Sequence, residues 1–164
     1  MKCLVCGLPG TGKTTYVKEH IGVNGLCYDL DAIAAALRLK SPHEESHAAA
    51  RGLANSMLFA FCSYAWDYSR DVFIIRTAPP IEELRRIGPD KVVFCKKQYV
   101  QRGISGIEKR EIVSRIEAVE EYCKRNNIPT QINDGKSRDY IMPVWARKVT
   151  ENDCLDDPEE ESAR

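Results

Sequence analysis

Eight residues near the start of the chain, Gly7-Leu8-Pro9-Gly10-Thr11-Gly12-Lys13-Thr14, match the pattern G-x-x-x-x-G-K-[ST] in full. A short apolar run, Lys2–Cys6, precedes them, and a stretch with helical spacing, residues 13–21, follows, with Val17 and Ile21 on one face. A strand that turns through such a loop into a helix narrows the choice of fold more than any other feature here. Glycines let the loop turn its N–H groups inward and bring the backbone close to an anion. The helix N-terminus behind the loop adds a partial positive charge. Lys13 can then reach β- and γ-phosphates, and the Thr14 hydroxyl can ligate Mg²⁺. A plain strand-to-helix turn accounts for the glycines, but not for a lysine followed by two hydroxyls, Thr14 and Thr15. Residues 7–15 are therefore expected to hold the phosphates of a nucleotide. No adenine- or guanine-specific motif accompanies them, so the pattern leaves ATP and GTP open.

The rest of the chain repeats the alternation of strand and helix. Further strands are expected at 26–30, 71–78, 91–96 and 129–133, the run Val72–Ile75 being the clearest. Helices are expected at 31–39, capped by Asp31, at 43–69, at 81–88 and at 108–126. In the long helix, Leu53, Met57, Ala60, Phe61, Tyr64, Ala65 and Tyr68 keep helical spacing and are expected to form its core face. Trp66, Tyr64 and Phe61 are accordingly assigned to the core and not to a surface on which bases stack. Ile112, Ile116, Val119 and Cys123 share one face of the last helix. Four or five apolar strands alternating with helices predict an α/β fold of three layers, a mostly parallel central sheet with helices on both faces. Ligands of such sheets bind beyond the carboxyl ends of the strands. Functional residues should therefore gather at 7–15, 29–38, 76–78 and 96–110.

Composition bounds the function. A chain of 164 residues suits one domain, and residues 1–150 are assigned to it. Residues 151–164 hold seven acids and one base, and are expected to be a disordered acidic tail. Setting the tail aside leaves 23 bases against 17 acids, a mildly basic body that favours anionic ligands. Residues 137–150 are apolar enough to pack onto the body. Seven cysteines lie mostly in apolar segments, which predicts reduced thiols and a cytoplasmic protein. Cys3 and Cys6 form a C-x-x-C, but on a strand their side chains point to opposite faces, so both read as buried thiols. No stretch of about 18 apolar residues is present to span a membrane.

Further candidates follow from position. Asp29 and Asp31 flank the end of the second strand, where one carboxylate could accept a hydroxyl proton as general base. Arg38, about two helical turns beyond Asp31, could meet an anionic group of the acceptor. The third strand ends in Arg76-Thr77-Ala78, with no aspartate to activate water, which disfavours a motor or switch ATPase. Arg76 could steady phosphate. Lys96, Lys97, Arg102, Lys109, Arg110 and Arg115 form a basic segment broken by Gly103 and Gly106, the composition of a mobile lid whose arginines neutralise a transferring phosphoryl group. Arg102 is the first lid candidate and Arg110 the second.

"GLPGTGKTT", "YDLDAIAAALR" and the basic "QRG" together resemble the kinases of the polynucleotide kinase type and their zeta-toxin-like relatives, within the P-loop NTPase superfamily. The resemblance spans roughly residues 2–125. It implies ATP with Mg²⁺ as donor, Lys13 and Thr14 at the phosphates and metal, Asp31 as the group that activates the acceptor hydroxyl, and Arg102 as the lid arginine. The third-strand end departs from the pattern. The expected activity is transfer of a γ-phosphate to a hydroxyl, on a nucleic-acid end or on a small metabolite such as a sugar nucleotide. A nucleotide-binding module without transfer, or a slow NTPase, is the alternative.

Overall fold

The computed structural model describes residues 1–40, 47–68, 71–96 and 106–134, apart from the side chains of residues 66 and 68. Its elements run β1 (Lys2–Cys6), α1 (Lys13–His20), β2 (Leu26–Asp29), α2 (Leu30–Ala36), α3 (Ala48–Tyr68), β3 (Val72–Arg76), α4 (Ile81–Ile87), β4 (Lys91–Cys95), α5 (Gly106–Arg125) and β5 (Thr130–Asn133). All five strands are parallel and stand in the order β2-β3-β1-β4-β5. The expected α/β architecture is the one the chain builds.

Strand composition matches position in the sheet. The three central strands, β3, β1 and β4, are near-continuous apolar runs, as strands covered on both faces must be. Leu4, Val5, Val92 and Val93 are wholly buried, each such side chain stabilising the fold by about 1.5–3 kcal/mol. The edge strands β2 and β5 are shorter and more exposed. Alternate residues of the sheet go to two clusters. Cys3, Val5, Phe73, Ile75, Val93 and Cys95 pack with Tyr16 and Val17 of α1. Leu4, Cys6, Ile74, Val92 and Phe94 pack with residues of α3, α4 and α5. Cys3 and Cys6 thus enter separate clusters as free, buried thiols. In this arrangement β1 leads to the helix of one cluster, while its neighbours β3 and β4 lead to helices of the other. A crevice opens beside the carboxyl end of β1 wherever connections part in this way, and residues 7–12 leave the sheet there.

Three expectations are corrected. The cap of α2 is Asp29, not Asp31: the helix starts directly from the end of β2 with no loop between, so the last strand residue holds the cap position. Its Oδ1 accepts from the N–H groups of Asp31 (3.1 Å) and Ala32 (3.3 Å). The buried face of α3 is Ala50, Ala54, Leu58, Cys62 and Ala65, with Phe61 partly buried. Leu53, Met57 and Tyr64 are 53%, 44% and 63% exposed, and Ala60 also lies outward. This helix is apolar on every side and carries just two charges, Arg51 and Asp67, so its period does not single out a face. Small residues won the inward positions because they let α3 lie close to its neighbours; the Tyr28 hydroxyl of β2 donates to the Ala54 carbonyl. Finally, α5 begins at Gly106, two residues before the expected start at 108. The inward face expected for α5 is borne out, with Val119 and Cys123 buried and Ile116 beside them. Residues 137–164, with the expected tail, lie outside the described residues, as does Arg102.

Candidate functional site

Strand register brings four segments to one edge. Cys6 pairs with Arg76 on one side and Phe94 on the other, and Asp29 pairs with Ile75. The Gly7 N–H continues the ladder by donating to the Thr77 carbonyl at 3.1 Å. Thr77 therefore holds the loop in place through its backbone carbonyl.

The loop is shaped by two tight demands. A Cβ on Gly7 would stand 2.5 Å from the Cys95 carbonyl oxygen and 2.7 Å from Thr11 Oγ1, so only glycine lets β1 exit between β3 and β4. Gly12 caps α1 at φ 87°, with open space where a Cβ would be. The α1 N-terminus has no side-chain cap, so its first N–H groups are left for another acceptor. Thr11 is buried and donates its hydroxyl to the Leu8 carbonyl at 2.7 Å, which makes it a strut of the loop.

Lys13 lies over the loop. Its Nζ donates to the carbonyls of Gly7 (2.9 Å) and Leu8 (2.8 Å). Burial holds this ammonium below its ordinary value of 10.5; the nearby Cys95 and Cys6, then Asp31 and Asp29, pull the other way. A poorly hydrated cation among carbonyls is poised to exchange them for a stronger anion. Thr14 Oγ1 donates to Asp29 Oδ2 at 3.2 Å. Asp29 thus spends one oxygen on capping α2 and turns the other toward α1. Two hard oxygens this close suit Mg²⁺, which takes one or two protein oxygens beside those of phosphates. Thr15 is exposed on the same first turn. The loop, the bare helix N-terminus, Lys13 and this oxygen pair all fit a magnesium nucleotide.

Asp31 stands in the first turn of α2, 61% exposed, with its Oδ1 3.0 Å from Nη1 of Arg51 on α3. Arg76 and Arg110 bond to other groups. Arg76 forks onto Glu83 of α4, through Nε at 2.6 Å and Nη2 at 2.7 Å, while Nη1 donates to Asn55 of α3 at 3.1 Å. Its guanidinium is committed to tying β3, α3 and α4 together. Arg38 is exposed in the turn after α2. Arg110 donates from Nε to the Gly106 carbonyl of its own helix at 3.3 Å, and Lys96 pairs with Glu120 of α5 at 2.6 Å. Sequence reasoning missed Arg51, Glu83 and Asn55; the one available signal was Arg51, a lone cation in an otherwise uncharged stretch. A mostly apolar cavity of about 410 Å³, walled by Val17, Ile21, Cys27 and Ile33, also has Thr14, Lys18 and Asp29 in its lining. No group of three His, Cys, Asp or Glu side chains capable of holding a metal by themselves occurs among the described residues. No described helix is long and apolar enough to cross a membrane.

No family model matches this chain, and no curated protein matches it.

Proposed function

We propose that this protein is an ATP-dependent phosphotransferase that moves the γ-phosphate of a magnesium nucleotide to a hydroxyl acceptor. One observation carries the reading: a desolvated lysine on a glycine loop starts an uncapped helix whose Thr14 bonds to Asp29 at the end of β2, with Asp31 just beyond in the first turn of α2. Backbone amides at residues 8–15 cradle the phosphates, and Lys13 leaves the Gly7 and Leu8 carbonyls to meet them. Thr14 and Asp29 would hold Mg²⁺, whose charge offsets that of the phosphates. Asp29, through its cap on α2, also positions Asp31, which accepts the proton of the acceptor hydroxyl as the phosphorus–oxygen bond forms. By its resemblance, Arg102 supplies a further cation. The acceptor is a nucleic-acid end or a small metabolite. The six free thiols among the described residues suit a reducing compartment, and we place the protein in the cytoplasm.

Calorimetry with millimolar MgATP and MgGTP tests the nucleotide site. Wild type is expected to bind and Lys13→Ala to lose at least tenfold in affinity; no heat from either nucleotide refutes the reading. Transfer is tested with Asp31→Asn, which should retain nucleotide binding and lose transfer at least a hundredfold, the range of general base catalysis. A second reading has one observation in its favour: Arg76, at the end of β3 where an acid would activate water, is bound to Glu83 and Asn55. Nucleotide binding without acceptor-dependent turnover would make the protein a binding module.

A further inference from the structure

Apolar residues occur on every side of α3, and a helix of that composition is normally covered on every side. Within the fold one side is covered. Leu58, Cys62 and Ala65 face the body, while Leu53 and Met57 on the far side are 53% and 44% exposed, and Tyr64 is 63% exposed. With the outward Ala60, these residues recur at steps of four, three and four, the alternating spacing of a coiled-coil seam. From Leu53 to Tyr64 that seam runs about 17 Å along the helix. Water-facing sides of helices carry polar and charged residues as a rule; this one carries a seam.

The seam is its own complement. Turned antiparallel about a two-fold axis midway between Met57 and Ala60, it sets each Leu53 against Tyr64 of a second copy. Each Met57 then lies against Ala60 of the other copy and fills the space that the small side chain leaves. Charge follows the same symmetry. Asp67, seven residues beyond Ala60, continues the seam, whereas the other charge of the helix, Arg51, is turned to Asp31. Antiparallel pairing lays Asp67 over Ala49 and Ala50 of the second copy. That first turn carries no acid of its own, and its N–H groups precede the helical ladder, so a carboxylate is favoured there. Parallel pairing would instead set Asp67 beside Asp67. The chain's own later residues start from the wrong side: the described chain ends at Asp134 beside β5, the sheet edge opposite β2, where Tyr28 meets Ala54 of α3. Four strand spacings, about 19 Å, separate the two edges.

We infer that the outer face of α3 is a self-association surface whose partner is a second copy of this chain, docked antiparallel about a two-fold axis. Such an arrangement closes on itself and stops at a dimer. One helix face per copy makes a small interface, below about 1,200 Å² in total, the class of weak and reversible contacts. Association is therefore expected in the micromolar range. The inference draws nothing from the phosphotransferase reading and is tested without nucleotide.

Sedimentation velocity of the full chain in reducing buffer, from one micromolar to several hundred, reads the association. Wild type should pass from monomer to dimer and go no further. Met57→Glu brings like charges together at the axis and should weaken the dimer at least tenfold; Tyr64→Gln should weaken it severalfold. At the dilute end, where the chain is monomeric, both variants should melt at the wild-type temperature, because both side chains are exposed there. Orientation is read by copper–phenanthroline oxidation of Leu53→Cys and Tyr64→Cys chains, against a wild-type control. A mixture of the two should cross-link much faster than either chain alone. A monomer at every concentration overturns the inference. If Met57→Glu in that case lowers the dilute melting temperature, the face is covered by the chain's own residues, 137–150 among them. Growth beyond a dimer, undiminished association of both Met57→Glu and Tyr64→Gln, or cross-links between like chains alone overturns it too.

Discussion

Gly7 and Gly12 bracket the loop and do different work. Gly7 at φ 155° has no room for a side chain, whereas Gly12 at φ 87° has room but a left-handed backbone. Gly7→Ala must move either the loop or the Cys95 peptide, an overpacking cost of about 1–3 kcal/mol beyond the backbone strain. Gly12→Ala carries the backbone term alone, about 1–2 kcal/mol. Thermal melts should therefore rank Gly7→Ala below Gly12→Ala, and the reverse order would deny the close approach of Gly7 to β4. The same scale separates the two arginine–carboxylate pairs. Glu83→Ala strands the mostly buried Arg76 and is expected to cost about 2–4 kcal/mol, read from the denaturant midpoint. A loss below about 1 kcal/mol, the range of exposed pairs, would release Arg76 from its structural role and return it to the list of candidate phosphate ligands.

Among the elements, α3 separates hydrophobicity from burial. Leucine, methionine and tyrosine stand outward on it while alanines and a cysteine stand inward, because closeness of approach to α2 and the sheet governs the inner face. Leu58, 1% exposed, is the large anchor of that face. Leu58→Ala is expected to cost about 2–5 kcal/mol. Tyr64→Gln, on the outer face, should stay within about 0.5 kcal/mol of wild type. Equal losses at the two positions would mean that the outer face is also packed. For α2, the direct passage from β2 into the helix makes Asp29 both cap and candidate metal ligand, which links the geometry of Asp31, the proposed base, to that of Thr14.

At the scale of the whole molecule, the thiols set an alkaline limit. Burial pushes Cys3 and Cys62 up to about 11 and Cys27 to about 12, from an ordinary value of 9.0. A group that binds its proton more tightly in the folded state stabilises below its unfolded pKa, and that stability drains away as pH rises toward the folded value. Stability should therefore fall from about pH 9 to pH 11–12. A flat melting temperature across that range would contradict the burial of these thiols.

The loop, its lysine and hydroxyls, the central strands and the inner face of α5 were all legible in the amino-acid order. Each is written in consecutive residues or in a clear period: a short motif, an unbroken apolar run, a one-sided stripe. Tertiary structure alone decided the strand order, the inner face of α3, the meeting of Arg51 with Asp31 twenty residues before it, and the capture of Arg76 by Glu83 and Asn55. Those contacts depend on where helices cross and which strands lie side by side, and no local spacing encodes the distance between two side chains that the chain brings together from different elements.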